Sequence, residues 1–204
     1  MSKKTIVFAT GNKDKMKEIR MILEETGFEA VSMKEAGIDL DIVEDGETFE
    51  ENALIKARAV CAASGKIALA DDSGLEIDAL NKEPGVHSAR FMGENTSYDI
   101  KNNAILEKLA NVQDEKRSAR FVCAIAAVFP DGREWICRQT MEGMIGHEIA
   151  GSNGFGYDPI FYLPEYGCTS AELSPEEKNK ISHRGKALRM MCDRLQKEAA
   201  EEEA

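Results

Sequence analysis

Two adjacent carboxylates, Asp71 and Asp72, follow the strand-like apolar run Ile67–Ala70 and precede Ser73. Neighbouring carboxylates repel each other and resist burial unless a cation lies nearby. The carboxyl end of a strand is where α/β proteins commonly bind ligands, and carboxylate oxygens suit Mg²⁺. One acid of the pair can also take a proton from a metal-activated water. The pattern favours such a site over the alternative, a turn in which Asp72 or Ser73 caps the following backbone.

A glycine turn at Thr10–Asn12 joins another apolar run to a predicted helix that begins near Lys13 or Asp14. Glycine allows the backbone to approach a ligand, the helix N-terminus offers N–H groups to an anion, and Lys15 adds positive charge. The alternative is an ordinary capped turn. The P-loop pattern G-x-x-x-x-G-K-[ST] occurs nowhere in the chain.

An acidic loop containing Glu44 and Asp45 precedes a second predicted helix, in which Asn52 and Lys56 lie four residues apart on one face. Such a pattern usually means a solvated loop and an amphipathic helix. By itself it does not point to a function.

Two segments nearer the C-terminus have residue types that suit a nucleotide. In Gly154–Gly156 a phenylalanine, Phe155, stands between glycines, and an exposed aromatic ring can stack on a base. Lys178, His183 and Arg184 cluster near a helix junction and suit an anion or a base carbonyl. The alternatives are a packed loop and a surface helix of mixed charge.

The elements that must position these residues alternate between strand and helix patterns. Strands are predicted at Thr5–Ala9, at Ala30–Met33, up to Asp71, over Leu75–Ala79 and on both sides of a Pro-Asp-Gly turn. Helices are predicted at Lys15–Leu23, from Thr48 to Gly65, from Tyr98 to Leu109, and from Ser174 through Leu188, Met191 and Leu195. The pattern predicts a mixed α/β domain, with two lobes around a cleft as one arrangement.

Composition narrows the class of function. A net charge of −11 over 204 residues disfavours a broad nucleic-acid-binding face. Five cysteines, an odd number without a C-x-x-C pair, are typical of reduced cytoplasmic thiols. We expect no secretory signal, and no apolar run in the sequence approaches the roughly 20 residues that span a bilayer. We therefore expect a cytoplasmic protein whose partner is a small molecule, without nucleic acid or membrane.

Six segments, taken together and in order, resemble the inosine/xanthosine triphosphate pyrophosphatase family. They are TGNKDK, EDGETFEENALIKA, ADDSGL, PGVHSAR, GFGYDPIF and AELSPEEKNKISHRGKAL. Each segment alone is a weak signal, but all six in one order and spacing are specific, and they cover nearly the whole chain.

The resemblance implies a single two-lobed domain over residues 1–204, with an elongated mixed β-sheet flanked by helices and a central cleft. It also implies a homodimer. The implied reaction is hydrolysis of ITP, dITP or XTP to the monophosphate and pyrophosphate, by Mg²⁺-dependent attack of water on the α-phosphorus.

The resemblance assigns phosphate and metal chemistry to matching positions. Asp72 is implied as general base and metal ligand. With Asp72 in that role, we expect Asp71 to be mainly structural, capping the turn that aims Asp72. Glu44 is implied as the second metal ligand, with Asp45 left open as the alternative acid. The residues implied to bind phosphate are Thr10, Gly11, Asn12, Lys13, Asp14, Lys15, Lys56 and Ser73.

Base recognition is implied for the C-terminal segments. Phe155 would stack on the purine, and its neighbours would shape the pocket. The pocket-shaping neighbours are Gly156, Tyr157 and Asp158, and the residues implied to complete phosphate and base recognition are Lys178, His183 and Arg184.

Two other functions stay open on the sequence. One is a related pyrophosphatase that removes modified pyrimidine or methylated nucleotides. The other is a nucleotide-binding sensor without catalysis, against which stand the intact base and metal acids. A phosphatase of the haloacid dehalogenase type would need an Asp-x-Asp motif, which Asp71, Asp72 and Ser73 do not form.

Overall fold

Seven strands form one mixed sheet in the computed structural model, which describes residues 4–24 and 26–202. They are β1 (Lys4–Phe8), β2 (Phe28–Ser32), β3 (Ala68–Ile77), β4 (Ser118–Val128), β5 (Glu134–Ile145), β6 (Phe161–Leu163) and β7 (Cys168–Thr169). Their order across the sheet is β2-β1-β3-β4-β5-β6-β7. Strand β1 pairs in parallel with β2 and β3, whereas β6 pairs antiparallel with β5 and β7. The predicted mixed sheet is confirmed.

Most of the helix boundaries lie where local sequence signals place them. They are α1 (Lys13–Leu23), α2 (Phe49–Ser64), α3 (Tyr98–Lys108), α4 (Pro175–Ile181) and α5 (His183–Glu202). Thr48 and Glu51 form a capping box at the start of α2, and Gly65 ends that helix in the left-handed conformation. The predicted C-terminal helix is two helices, because the extended backbone of Ser182 separates them. No helix in the described part of the chain is long and apolar enough to cross a membrane.

Strand β3 differs from the prediction. We expected a strand that ends at Asp71 and a second one over Leu75–Ala79, but β3 runs without interruption from Ala68 to Ile77. Both aspartates therefore lie inside a strand, so the predicted turn, and Asp71 as its cap, were wrong. Adjacent carboxylates are tolerated there because cations from distant parts of the chain neutralise them.

The chain divides into two compact units. The first unit comprises Met1–Asp72, Cys123–Gln139 and His183–Ala204, and the second comprises Ser73–Val122 and Thr140–Ser182. In the first unit, apolar side chains of α1 and α5 pack with residues of β1, β3 and β4. In the second unit, residues of α3 pack with Leu75, Ile77 and the strands β5 and β6. The boundary between the units along β3 therefore falls directly after Asp72.

Candidate active site

Asp71 is completely buried in the first unit and is neutralised by two cations. Lys15 Nζ lies 2.5 Å from Oδ1, and Arg184 Nε lies 2.8 Å from Oδ2. The thiol of Cys123 is also a donor to Oδ2, at 3.2 Å. Burial alone would raise the pKa of Asp71, but the charges of Arg184 and Lys15 outweigh it and hold that pKa well below its usual range. Asp71 is therefore an ionised structural centre that joins three elements, β3, α1 and α5.

Arg184 has a second partner in the same unit. Its guanidinium also pairs with Glu18 on α1, and the residue is only 2% exposed. A buried guanidinium with two carboxylates is positioned to hold α5 against α1. The geometry gives no argument for contact between Arg184 and a base, so that role stays a prediction.

Asp72, the next residue, has a different environment. Its Oδ1 accepts a hydrogen bond from Lys56 Nζ at 3.0 Å, while Oδ2 is buried without a hydrogen-bond partner among the described residues. Burial raises the pKa of Asp72, and the positive charges of Lys56 and Lys15 offset this only in part. A carboxylate with a raised pKa and a spare oxygen has the properties of a general base.

Lys56 shares its ammonium group between two acids. Nζ lies 2.6 Å from Glu44 Oε2 as well as 3.0 Å from Asp72 Oδ1. Burial would lower the pKa of Lys56, but Asp72 and Glu44 together raise it. The ammonium therefore stays charged although the side chain is buried.

The acidic loop is fixed to α2 by a residue whose role the sequence did not reveal. The Asn52 side chain accepts a hydrogen bond from the Gly46 amide at 2.9 Å and donates one to the Gly46 carbonyl at 3.4 Å. A Cβ at Gly46 would lie 2.8 Å from Asn52 Oδ1, so the loop needs glycine there. This anchor places Glu44 beside Lys56, one turn further along α2. The only signal in the sequence was the four-residue spacing of Asn52 and Lys56.

Glu44 and Asp72 together could hold a divalent cation whose other ligands are water and substrate oxygens. Glu44 and Asp72 supply hard carboxylate oxygens, and Asp72 Oδ2 is an acceptor that is buried without a partner within residues 4–24 and 26–202. Those residues contain no group of three or more His, Cys, Asp or Glu side chains placed to hold a metal. Mg²⁺ is commonly held by one or two carboxylates plus substrate phosphates and water. Asp45, the alternative acid, is exposed, so the contact with Lys56 favours Glu44.

The glycine turn is organised by Asn12. Its Oδ1 accepts hydrogen bonds from the amides of Asp14 and Lys15, at 2.9 and 3.0 Å. Two of the N–H groups that we expected to offer to an anion are therefore already used. A surface pocket of about 480 Å³ lies beside the turn, and Lys13 and Lys17 are among the residues that line it. An anion beside the turn would therefore contact lysine side chains rather than these two amides.

The loop around Phe155 in the second unit is fixed by an ion pair. Asp158 Oδ2 accepts a hydrogen bond from the Phe155 amide at 2.9 Å and contacts Lys178 Nζ at 2.5 Å. Lys178 Nζ also lies 5.4 Å from the centroid of the Phe155 ring. A Cβ at Gly154, whose φ is +73°, would lie 2.2 Å from Asp158 Oδ2. The ion pair therefore holds the half-exposed ring in a defined position.

Residues that the sequence did not single out hold the other side of this loop. Asn102 Nδ2 donates a hydrogen bond to the Gly156 carbonyl at 3.2 Å. The Tyr157 hydroxyl donates to the Ser88 carbonyl at 2.7 Å, and its ring packs edge-on against Tyr98 with centroids 5.2 Å apart. Tyr157 is thus a buried structural residue of the loop rather than an open pocket wall.

The remaining predicted residues lie close to these clusters along the chain. Ser73 follows Asp72 in β3 and is half-buried, and His183 is the buried first residue of α5. In the first unit the structure brings four of the predicted site residues together around Asp71 and Asp72, namely Lys15, Glu44, Lys56 and Arg184. In the second unit it brings Phe155, Asp158 and Lys178 together.

Comparison with known proteins finds relatives over almost the whole chain. The Ham1 family model matches residues 6–194. A dITP/XTP pyrophosphatase of Clostridium perfringens is 45% identical over 198 residues, covering 94% of this chain and 97% of the relative. One of Desulforamulus reducens is 48% identical over 190 residues, covering 93% of this chain and 94% of the relative.

A solved structure gives the same result. The Ham1 protein of Staphylococcus aureus superimposes with a TM-score of 0.85 at 42% identity, covering 96% of this chain and 100% of that one. The resemblance inferred from the six segments is confirmed by the names of these relatives. A family model over most of the chain and relatives above 40% identity identify this protein as a member of the Ham1 family.

Proposed function

We propose that this protein hydrolyses non-canonical purine nucleoside triphosphates, namely ITP, dITP and XTP, to the monophosphate and pyrophosphate. The relatives named dITP/XTP pyrophosphatase support the substrate class. The observation that carries the proposal is Asp72, whose buried second oxygen has no hydrogen-bond partner in the described part of the chain, while its first oxygen and Glu44 share Lys56. A carboxylate in that state can take a proton from water.

In this proposal Glu44 and Asp72 hold a divalent cation, for which we propose Mg²⁺. A cation bound there would neutralise phosphate charge and lower the pKa of a bound water. Asp72 accepts the proton of the water that attacks the α-phosphorus, and its raised pKa makes it a better acceptor. Lys56, with Thr10 to Lys15 and Ser73, contacts the triphosphate.

Purine binding is proposed for the second-unit cluster. The Phe155 ring stacks on the base, and the Asp158–Lys178 pair fixes the ring so that little conformational freedom is lost on binding. Lys178, whose Nζ contacts Asp158 Oδ2 at 2.5 Å, places positive charge beside the Phe155 ring. His183 completes base or phosphate recognition in this scheme.

The experiment is a substrate panel with Mg²⁺ and resolved products. Turnover of ITP, dITP and XTP should exceed that of ATP, GTP and dUTP, and pyrophosphate should appear in equal amount to the monophosphate. Orthophosphate together with IDP would contradict attack at the α-phosphorus. Preference for dUTP would favour the pyrimidine alternative, and binding of ITP without turnover would favour a sensor.

Two further properties belong to the proposal. Five free thiols, at Cys61, Cys123, Cys137, Cys168 and Cys192, support a reducing cytoplasmic location. A homodimer is implied by the family resemblance, and sedimentation equilibrium of the purified chain would test it.

A further inference from the structure

The ammonium group of Lys56 lies against both of the carboxylates proposed as cation ligands. Nζ is 2.6 Å from Glu44 Oε2 and 3.0 Å from Asp72 Oδ1, so the two oxygens are no farther apart than these lengths together. Mg²⁺ binds carboxylate oxygens at about 2.0–2.1 Å. A cation bound to either of these oxygens would therefore lie within about 5 Å of the ammonium nitrogen, where the two positive charges repel.

The local fold holds Lys56 in this position. The residue is 7% exposed and lies on α2, one turn after Asn52, which fastens the loop that carries Glu44. The capping box of Thr48 and Glu51 fixes the start of the same helix. The contact of Lys56 with the two acids thus depends on packed elements and not on an exposed, freely rotating side chain.

We infer that Lys56 competes with the divalent cation for Glu44 and Asp72, and that the triphosphate relieves this competition by giving the ammonium another anion to contact. The cation site and the identity of that anion rest on the proposed function, whereas the competition is measured without nucleotide or turnover. Because coupling between two ligands is reciprocal, the cation must then raise triphosphate affinity by the factor by which the triphosphate raises cation affinity. Lys56 would thereby prevent tight cation binding before the substrate arrives.

A cation that binds Asp72 without displacing Lys56 would give a different result when Lys56 is replaced. Asp72 Oδ2 is buried without a partner among the described residues. A cation bound through that oxygen alone would leave the contacts of Lys56 unchanged. Removal of the ammonium would then leave cation affinity close to that of the wild type.

The test measures Mn²⁺ binding by electron paramagnetic resonance without nucleotide, so no turnover is involved. Lys56→Met should bind Mn²⁺ about tenfold more tightly than the wild type or better, from the low end of coupling energies for close charge pairs. Lys56→Arg keeps the positive charge and should stay within about threefold of the wild type. Unchanged or weaker binding by a folded Lys56→Met protein would overturn the inference.

Lys15→Met is the matched control for net charge, because Lys15 pairs with the adjacent Asp71 rather than with Asp72. It should raise Mn²⁺ affinity much less than Lys56→Met, and an equal rise would mean that general electrostatics explains the effect. In the Lys56→Met background, Glu44→Gln should remove most of the gain, while Asp45→Asn should preserve it. The reverse result would exclude Glu44 as the contested ligand.

A second measurement tests whether the triphosphate relieves the competition between Lys56 and the cation. A non-hydrolysable α,β-imido analogue of ITP should raise Mn²⁺ affinity more in the wild type than in Lys56→Met, and equal rises would overturn that part of the inference. Turnover of ITP by the wild type is assayed separately. Its absence would refute the proposed function and leave the nucleotide-free Mn²⁺ comparison valid, so the two failures are distinguishable.

Discussion

Asp71 and Asp72 are consecutive residues of one strand, but their surroundings differ in almost every respect. Because side chains alternate along a strand, the two carboxylates point to opposite faces of β3. Asp71 has a cation at each oxygen, from Lys15 and Arg184. Asp72 has one ammonium at one oxygen, which it shares with Glu44. The difference separates a charge that stabilises the fold from a charge that is available for chemistry.

The pKa shifts of the two acids run in opposite directions because their compensating charges differ. Both carboxylates are buried, and burial raises the pKa of each. At Asp71 the charges of Arg184 and Lys15 outweigh burial, whereas at Asp72 the charges of Lys56 and Lys15 do not. A partly neutralised, buried carboxylate is costly to the fold, and functional sites commonly retain such groups.

The largest expected effect is on turnover in Asp72→Asn. The substitution keeps the shape of the side chain but removes the proton acceptor and a ligand of the proposed cation. Loss of a general base alone typically costs about 10²–10⁴-fold in rate. Steady-state release of pyrophosphate from ITP should therefore fall by at least that factor, while thermal unfolding stays close to that of the wild type. Activity within about threefold of the wild type, less than about 1 kcal/mol of barrier, would refute the assignment.

Asp71→Asn should have its main effect on stability. It leaves Lys15 and Arg184 without their shared carboxylate in a buried position. Removing one partner of a buried ion pair costs about 3–5 kcal/mol, so the urea midpoint should fall clearly. The matched comparison is Asp72→Asn, which disturbs a single cation that keeps Glu44 as a partner. If the two variants lost equal stability, the distinction between a structural and a chemical carboxylate would fail.

The sequence predicted the elements that local signals determine. The capping residues Thr48 and Ser174 predicted the starts of α2 and α4, and both form capping boxes in the structure. Strand β7 was not predicted because its two residues, Cys168 and Thr169, are too few to form a periodic pattern. Met191 is buried as the helical spacing with Leu188 and Leu195 indicates, whereas its neighbour Met190 is 48% exposed, since neighbouring residues of a helix face different directions.

The candidate site was predicted by residue type, but its internal arrangement was not. Lys15 and Arg184 meet Asp71 across 56 and 113 residues of chain, so no local pattern reveals the contacts. The same contacts explain why adjacent acids did not end β3. Asn52, which orders the acidic loop, was visible only as a spacing with Lys56, and that spacing is common on surface helices.

The smallest expected effect is the pH dependence of stability, and it should have opposite signs in the two variants. The folded-state pKa of Asp71 lies below its unfolded value, which for an unperturbed aspartate is about 3.9. Asp71 therefore contributes stability above about pH 4, and this contribution is lost as the pH falls through the lowered pKa. The stability deficit of Asp71→Asn relative to the wild type should thus shrink on acidification.

Asp72 has a folded-state pKa above its unfolded value, so its contribution is present below about pH 4 and is lost as the pH rises through the raised pKa. The wild type should therefore gain stability relative to Asp72→Asn on acidification, because the protonated carboxyl, like the amide, carries no charge. Urea unfolding of the three proteins in EDTA, at a series of pH values from neutral down to the acid limit of folding, measures both differences. If the stability difference between wild type and variant changed with pH in the same direction for both variants, the pKa values of Asp71 and Asp72 would not be shifted in opposite directions. Changes in opposite directions would confirm the opposite shifts. Each variant removes one carboxyl and keeps every other titrating group, so each difference reports on that carboxyl alone.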